Sequence, residues 1–156
     1  MEFPSKAELD KSKKAFSLLP ADDYQFIISS CEPKTQLKYQ SQDTEDVINF
    51  TLEITGFRDG TPAIDEDGKP ANGRKMFMTV RPLSMGFTQA GLPSISRQFI
   101  GYALGLEDIE QDFELAAWEQ LLGKTVYGEI ITKTNMKGEK VNRIARFVKS
   151  PRQRIA

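Results

Sequence analysis

GRKMFMTVRP, residues 73–82, has the alternation on which the fold prediction rests. Side chains in a β-strand point to opposite faces in turn. One face of this stretch would therefore carry only apolar side chains, those of Met76, Met78 and Val80. A face of this kind packs on a core, so the sequence predicts a half-buried antiparallel strand here.

The opposite face of the same strand admits two interpretations. It would carry Lys75, Phe77, Thr79 and Arg81. An aromatic ring between cations can stack on a nucleic-acid base while the charges hold the flanking phosphates. The alternative is an ordinary solvent-facing surface, with Phe77 covered by a loop or by the N-terminal segment.

Four further strands are predicted around this one. Residues 24–34 are apolar on both faces at first, which is typical of a central strand. The second strand alternates most regularly, with Ile48, Phe50, Leu52 and Ile54 on one face and Gly56 at its end. Residues 57–72 predict a long hairpin loop. Residues 124–134 and 140–149 predict the last two strands, with Gly128 allowing a bend or a close approach of backbone.

Two helices are predicted between the third and fourth strands. The first begins after Pro93 and Ser94, places Ile95, Phe99, Tyr102 and Ala103 on one side, and ends near Gly105. The second is short, contains residues 113–122, and is stopped at Gly123. A capping-box pattern at residues 5–8 predicts a helix or an arm over residues 1–19.

This order of elements predicts a mainly β (α+β) fold: a five-stranded OB-like Greek-key barrel with one or two helices between strands 3 and 4. The alternative is a five-stranded sandwich or an open meander with helices on one face. The predicted organisation is an N-terminal helix or arm at 1–19, the barrel at 20–149 and a basic tail at 150–156.

The composition removes several classes of enzyme. The 156-residue chain has no histidine and only one cysteine, Cys31, which excludes His-dependent nucleophilic and zinc chemistry. Residues 65–68 resemble a fragment of a calcium loop without its other ligands, and nothing in the spacing places Asp65, Asp67 or the acids at 107–112 around one ion. We therefore expect no enzyme activity, no metal and no cofactor. We also expect a soluble, unprocessed protein that does not enter membranes, because the sequence has no long apolar run or leader.

Charge is sorted along the chain although the total is only −1. Residues 107–119 contain six acids and no base, whereas residues 133–154 contain eight basic residues and one acid. A protein of near-neutral charge needs such segregation to present a polyanion-binding face.

Four short motifs resemble a family of small phage and prophage proteins that are described as uncharacterised or as single-stranded-DNA-binding. They are Leu19-Pro20-Ala21-Asp22-Asp23-Tyr24, Gly73-Arg74-Lys75, Leu122-Gly123-Lys124-Thr125-Val126 and Asn142-Arg143-Ile144. The resemblance implies a non-catalytic replication or recombination accessory that coats single strands, with a cytoplasmic location in a bacterial host cell. The chain departs from the family in its acidic stretch and in its long loop at 58–72. It also ends in basic residues, without the acidic tip through which cellular single-strand-binding proteins recruit partners.

The function hypothesis is therefore a sequence-tolerant single-stranded-DNA-binding protein. Phe77 would stack on a base, with Tyr127 as a second candidate, and Lys75 and Arg81 would lie beside the DNA backbone. Phosphate contacts would come from the last hairpin, through Lys137, Lys140 and Arg143. The alternative is a protein-binding adapter on the same scaffold. Replication or recombination proteins are the expected protein partners, and a homo-oligomer is left open.

Overall fold

The computed structural model describes residues 17–37, 42–81, 86–115 and 117–149. They form a five-stranded antiparallel sheet, one α-helix and one 3₁₀ helix. In chain order these are β1 (Asp22–Leu37), β2 (Thr44–Phe57), β3 (Lys75–Val80), α1 (Ile95–Ala103), the 3₁₀ helix (Trp118–Leu121), β4 (Thr125–Thr134) and β5 (Lys140–Val148). The order across the sheet is β3-β2-β1-β4-β5.

The predicted alternation is confirmed in the strands that carry the core. Met78 and Val80 of β3 are buried while Lys75, Phe77 and Thr79 are exposed. β1 is central, as predicted, because it pairs with both β2 and β4. The predicted core face of β2 is also confirmed, since Ile48, Phe50, Leu52 and Ile54 are all buried. Val47, whose position in the alternation places it on the opposite face, is fully buried as well.

α1 begins and ends where its capping residues predict. Ser94 is the N-cap, and its hydroxyl oxygen accepts a hydrogen bond from the Arg97 backbone N–H. The helix stops before Gly105, which adopts a φ of 79° that few other residues tolerate. The second helix is shorter than predicted, a single 3₁₀ turn from Trp118 to Leu121.

The core lies between the sheet and α1. The ring of Phe99 on α1 lies 4.9 Å from that of Phe50 on β2 and 5.0 Å from that of Phe147 on β5. One helix therefore bridges the two halves of the sheet. Such close aromatic pairs add to the stabilisation that burial of the rings provides.

β4 and β5 form a regular hairpin with one irregularity. The register shifts by one residue after Glu129, so Ile144 and Phe147, three positions apart, are both buried. This bulge is the reason that the alternation of β5 is weak in the sequence. Gly128 allows the predicted close approach, because a Cβ there would lie 3.2 Å from the Phe26 ring.

The prediction of a closed barrel is not borne out. Five strands and a helix between β3 and β4 are present, but no ladder of hydrogen bonds joins the edge strands β3 and β5 in the part of the chain that is described. Residues 17–19 lie beside the start of β5. The Asn142 side chain binds the backbone of Leu19, accepting from its N–H (2.8 Å) and donating to its C=O (3.0 Å). These residues line the same cleft as the first residues of β3 and β5.

Two of the predictions concern segments outside the described residues: most of the N-terminal helix or arm and the basic tail at 150–156. Within the described residues, no helix is long and apolar enough to cross a membrane. Cys31 is half-buried in β1, and burial raises the pKa of its thiol, with the Glu119 carboxylate adding to the effect.

Candidate nucleic-acid interface

A cleft separates the two edge strands of the sheet. Its volume is about 480 Å³. It is lined by Lys75, Met76, Phe77, Met78 and Thr79 of β3, Ile95 of α1, and Asn142, Arg143 and Ile144 of β5. A second cleft of about 550 Å³ shares Lys75, Met76 and Asn142 with the first. The two are therefore adjacent parts of one groove, which we call the edge cleft.

β3 and β5 run in the same direction along the edge cleft. The first residues of both strands, including Lys75 and Lys140, line the second part. Residues further along both strands, including Phe77 and Arg143, line the first part. The fold thus brings together residues that lie more than sixty positions apart in the sequence.

Phe77 is the most exposed aromatic side chain among the described residues, with 77% of its surface accessible. It lies opposite Thr51 of β2 on the outer face of the sheet, between the outward-pointing Lys75 and Thr79. The adjacent Met76 and Met78 point inward and are largely covered, so the strand that carries the exposed ring is packed against the core. No described loop covers Phe77. The N-terminal segment, the other cover considered for it, lies almost wholly outside the described residues.

Three cations of the edge cleft have no carboxylate partner among the described residues: Lys75, Lys140 and Arg143. Lys75 and Arg143 line the same part of the cleft as the Phe77 ring. Lys140 lines the adjoining part. Exposed cations that line a cleft together with an aromatic ring are one combination by which proteins bind nucleic acids.

The other predicted site residues lie elsewhere. The Arg81 guanidinium is 3.1 Å from the Glu45 carboxylate, so its charge is already partnered. Tyr127 is half-buried on β4, paired with Gln25 and Val148, and is not part of the edge cleft. Lys137 is exposed in the turn between β4 and β5, beyond the cleft.

A polar network that was not predicted from the sequence holds one end of the edge cleft in place. Arg74 donates to the Ser17 carbonyl (2.6 Å) and to the Asp65 carboxylate (2.5 Å). Asp65 also accepts from the backbone N–H groups of Lys69 and Asp67, each at 2.9 Å. The Lys69 N–H, followed by the Asp67 N–H and the Arg74 guanidinium, holds the pKa of Asp65 below its usual value. Asp65 is thus a structural anion in the loop that precedes β3.

Asn142 is the residue of the cleft that sequence reasoning missed. Its side chain lines both parts of the cleft and ties residues 17–19 to β5. The only signal in the sequence is a polar amide between Val141 and Arg143, which is common on an exposed strand.

The acidic stretch lies at the far end of β5. Arg97 holds it in place, because its guanidinium donates to the carbonyls of Ile109 (2.5 Å) and Gln111 (2.7 Å). Glu107 forms an ion pair with Lys149, and Arg146 pairs with Glu129 at 3.4 Å. The basic character of the last hairpin is thus compensated at this end. Positive charge without a carboxylate partner is concentrated near the β4–β5 turn and the edge cleft.

No family model and no curated protein matches the chain. The resemblance to phage proteins therefore stays a prediction. No group of three or more His, Cys, Asp or Glu side chains arranged to hold a metal ion occurs within the described ranges.

Proposed function

We propose that this protein binds single-stranded DNA without strong sequence preference, in phage replication or recombination in the cytoplasm of a bacterial cell. The observation that carries the proposal is the Phe77 ring, 77% exposed on a strand, in one cleft with Lys75 and Arg143. Covering an exposed aromatic ring with a ligand removes apolar surface from water, which favours binding.

The fold supports the proposal. An OB-fold is a five-stranded, partly open Greek-key barrel, and it binds oligonucleotides on the face of strands 2 and 3 and with the loops between strands 1 and 2 and strands 4 and 5. On the OB interpretation of this sheet, the binding face would be the outer face of β2 and β3, which carries Phe77 opposite Thr51. Lys137 lies in the loop between β4 and β5.

The mechanism divides the work between the ring and the cations. Phe77 stacks on one base, which contributes about 1–3 kcal/mol irrespective of base identity because every base has a π-face. Lys75, Lys140 and Arg143 neutralise phosphates and release counterions, so affinity falls as salt rises. No chemical step is needed, and the protein acts by covering the strand.

The test is a fluorescence-anisotropy titration of labelled oligo-dT and of a duplex of equal length, across a series of salt concentrations. The proposal predicts that oligo-dT binds more tightly than the duplex and that its affinity falls linearly in a plot of log K against log salt. Absence of oligo-dT binding at low salt would rule the proposal out.

A protein-binding adapter is the second candidate. It is favoured by the edges of β3 and β5, which no further strand of the described residues pairs with. An extended peptide can add a strand to such an edge, with main-chain hydrogen bonds providing the affinity. In that case a partner would be retained after nuclease treatment, and oligo-dT would not displace it.

A further inference from the structure

The β4–β5 hairpin extends away from the body of the protein. Ten consecutive residues, 132–141, are exposed, and the residues on either side of them are half-buried. Yet the ladder is intact, with Lys133 paired to Val141 and Thr134 to Lys140. The hairpin is therefore an ordered arm.

The turn at the tip of this arm is held by local hydrogen bonds. The Asn135 side-chain oxygen accepts from the backbone N–H groups of Lys137 (2.9 Å) and Glu139 (3.0 Å). The Gly138 N–H donates to the Asn135 carbonyl (3.0 Å), and Gly138 has a φ of 79°. These contacts explain the Asn and the Gly at either end of the turn.

Met136 has no such role in the turn. Its side chain is fully exposed, at 105% relative accessibility. The second position of a turn of this kind accepts most residues and is commonly polar. An unbranched apolar side chain is thus presented to solvent at the tip of an ordered arm, although the local fold does not require it.

The surroundings of Met136 indicate what it meets. Lys133, Lys137 and Lys140 are all exposed on the same arm, against one acid, Glu139. Val141 and Lys140, at the base of the arm, line the edge cleft. At about 3.3 Å per residue the tip lies about 10 Å beyond the cleft, the length of roughly three base-pair steps.

We propose that Met136 is a wedge that contacts the terminal base pair where a strand held in the edge cleft continues into duplex. This inference rests on the proposed function and adds a substrate class to it, the junction between single- and double-stranded DNA. Methionine is among the apolar side chains that proteins insert between base steps, and its polarisable thioether adapts to a base face. The lysines of the arm would hold the duplex phosphates on either side. Binding to a lipid interface increases with the buried apolar area, of which one methionine supplies little, and a lipid surface is therefore an outcome that the test distinguishes.

The test compares the wild type with Met136→Ser on two DNAs that share the same oligo-dT sequence. One is free, and the other is a tail on a hairpin duplex whose terminal base pair contains 2-aminopurine. Tails of both polarities are used. The matched control is Leu92→Ser, which changes an apolar side chain that is 62% exposed in the loop before α1.

The wild type and Leu92→Ser should bind the tailed duplex about tenfold more tightly than the free tail, and 2-aminopurine fluorescence should rise on binding as the terminal pair unstacks. Met136→Ser should lose both effects and keep its affinity for free oligo-dT. If the wild type binds oligo-dT but shows no preference for the junction, or if Met136→Ser retains it, the wedge is refuted and the proposed function stands. If the wild type does not bind oligo-dT, the proposed function and the wedge are both refuted. Binding of wild type to anionic vesicles that DNA does not displace would assign the tip to a membrane instead.

Discussion

Replacement of Phe77 by alanine should weaken binding far more than it weakens the fold. Phe77 is 77% exposed, so less than a quarter of the roughly 200 Å² of a phenylalanine side chain is covered. At about 25 cal/mol per Å², the covered part contributes about 1 kcal/mol to the free energy of unfolding. Loss of one stacked base costs about 1–3 kcal/mol of binding, which corresponds to a fall in affinity of about fivefold to more than a hundredfold.

Two measurements on the same preparation separate these effects. Urea denaturation should give a free energy of unfolding within about 1 kcal/mol of the wild type, and anisotropy should show the loss of oligo-dT affinity with an unchanged salt slope, because no charge is removed. Leu92→Ala, which removes an apolar side chain that is 62% exposed elsewhere, should leave affinity unchanged. A loss of stability above about 3 kcal/mol, the cost typical of a buried phenylalanine, would contradict the exposed position of the Phe77 ring. An unchanged affinity for oligo-dT would contradict its role in stacking on a base.

Three further predictions follow from individual contacts. Lys140→Ala should reduce the steepness of the salt slope for oligo-dT by about 0.7, because one phosphate contact is lost. Lys124→Ala, at the other end of the β4–β5 hairpin, should leave the slope unchanged. If Lys140→Ala has the same slope as the wild type, Lys140 is not part of the interface. Asp65 has a lowered pKa in the folded protein, so its contribution to stability is present above its unfolded pKa, about 3.9, and is lost as pH falls through the folded value. The difference in stability between the wild type and Asp65→Asn, measured by thermal unfolding, should therefore shrink below about pH 4. A difference that stays constant with pH would contradict the assignment of Asp65 as a hydrogen-bonded anion. Gly101→Ala would place a Cβ 2.4 Å from the Ile109 Cγ2. The cost of this overpacking, about 1–3 kcal/mol, should outweigh the gain in helix propensity of about 1 kcal/mol, so the urea midpoint should fall. A rise in the urea midpoint would contradict the close packing of Gly101 on Ile109.

The features that the sequence predicted well depend on local geometry. The side-chain alternation of β3 follows from the pleat of any strand, and α1 begins at Ser94 because a serine hydroxyl satisfies a free N–H of the first turn. Even the weak alternation of β5 carried information, since it marks the bulge opposite Glu129.

The features that were missed depend on contacts between distant segments. The hydrogen bond from the Leu19 N–H to Asn142, beside the edge cleft, joins residues 123 positions apart. Arg81 pairs with Glu45 only because the two lie close across β2 and β3. Tyr127 has the right residue type for stacking, but the sheet order places it on β4, away from the ring of Phe77. Residue type alone identified these side chains as candidates for a binding site. The order and register of the strands determine which of them line the edge cleft.

The most direct test of the edge cleft is ultraviolet cross-linking of wild-type protein to oligo-dT, followed by mass spectrometry of the cross-linked peptides. The structure predicts a thymine adduct on Phe77, with further adducts confined to peptides from β3 and from the β4–β5 hairpin. Adducts on the acidic residues 107–114, or adducts that persist unchanged in Phe77→Ala, would contradict the assignment of this cleft as the DNA-binding surface.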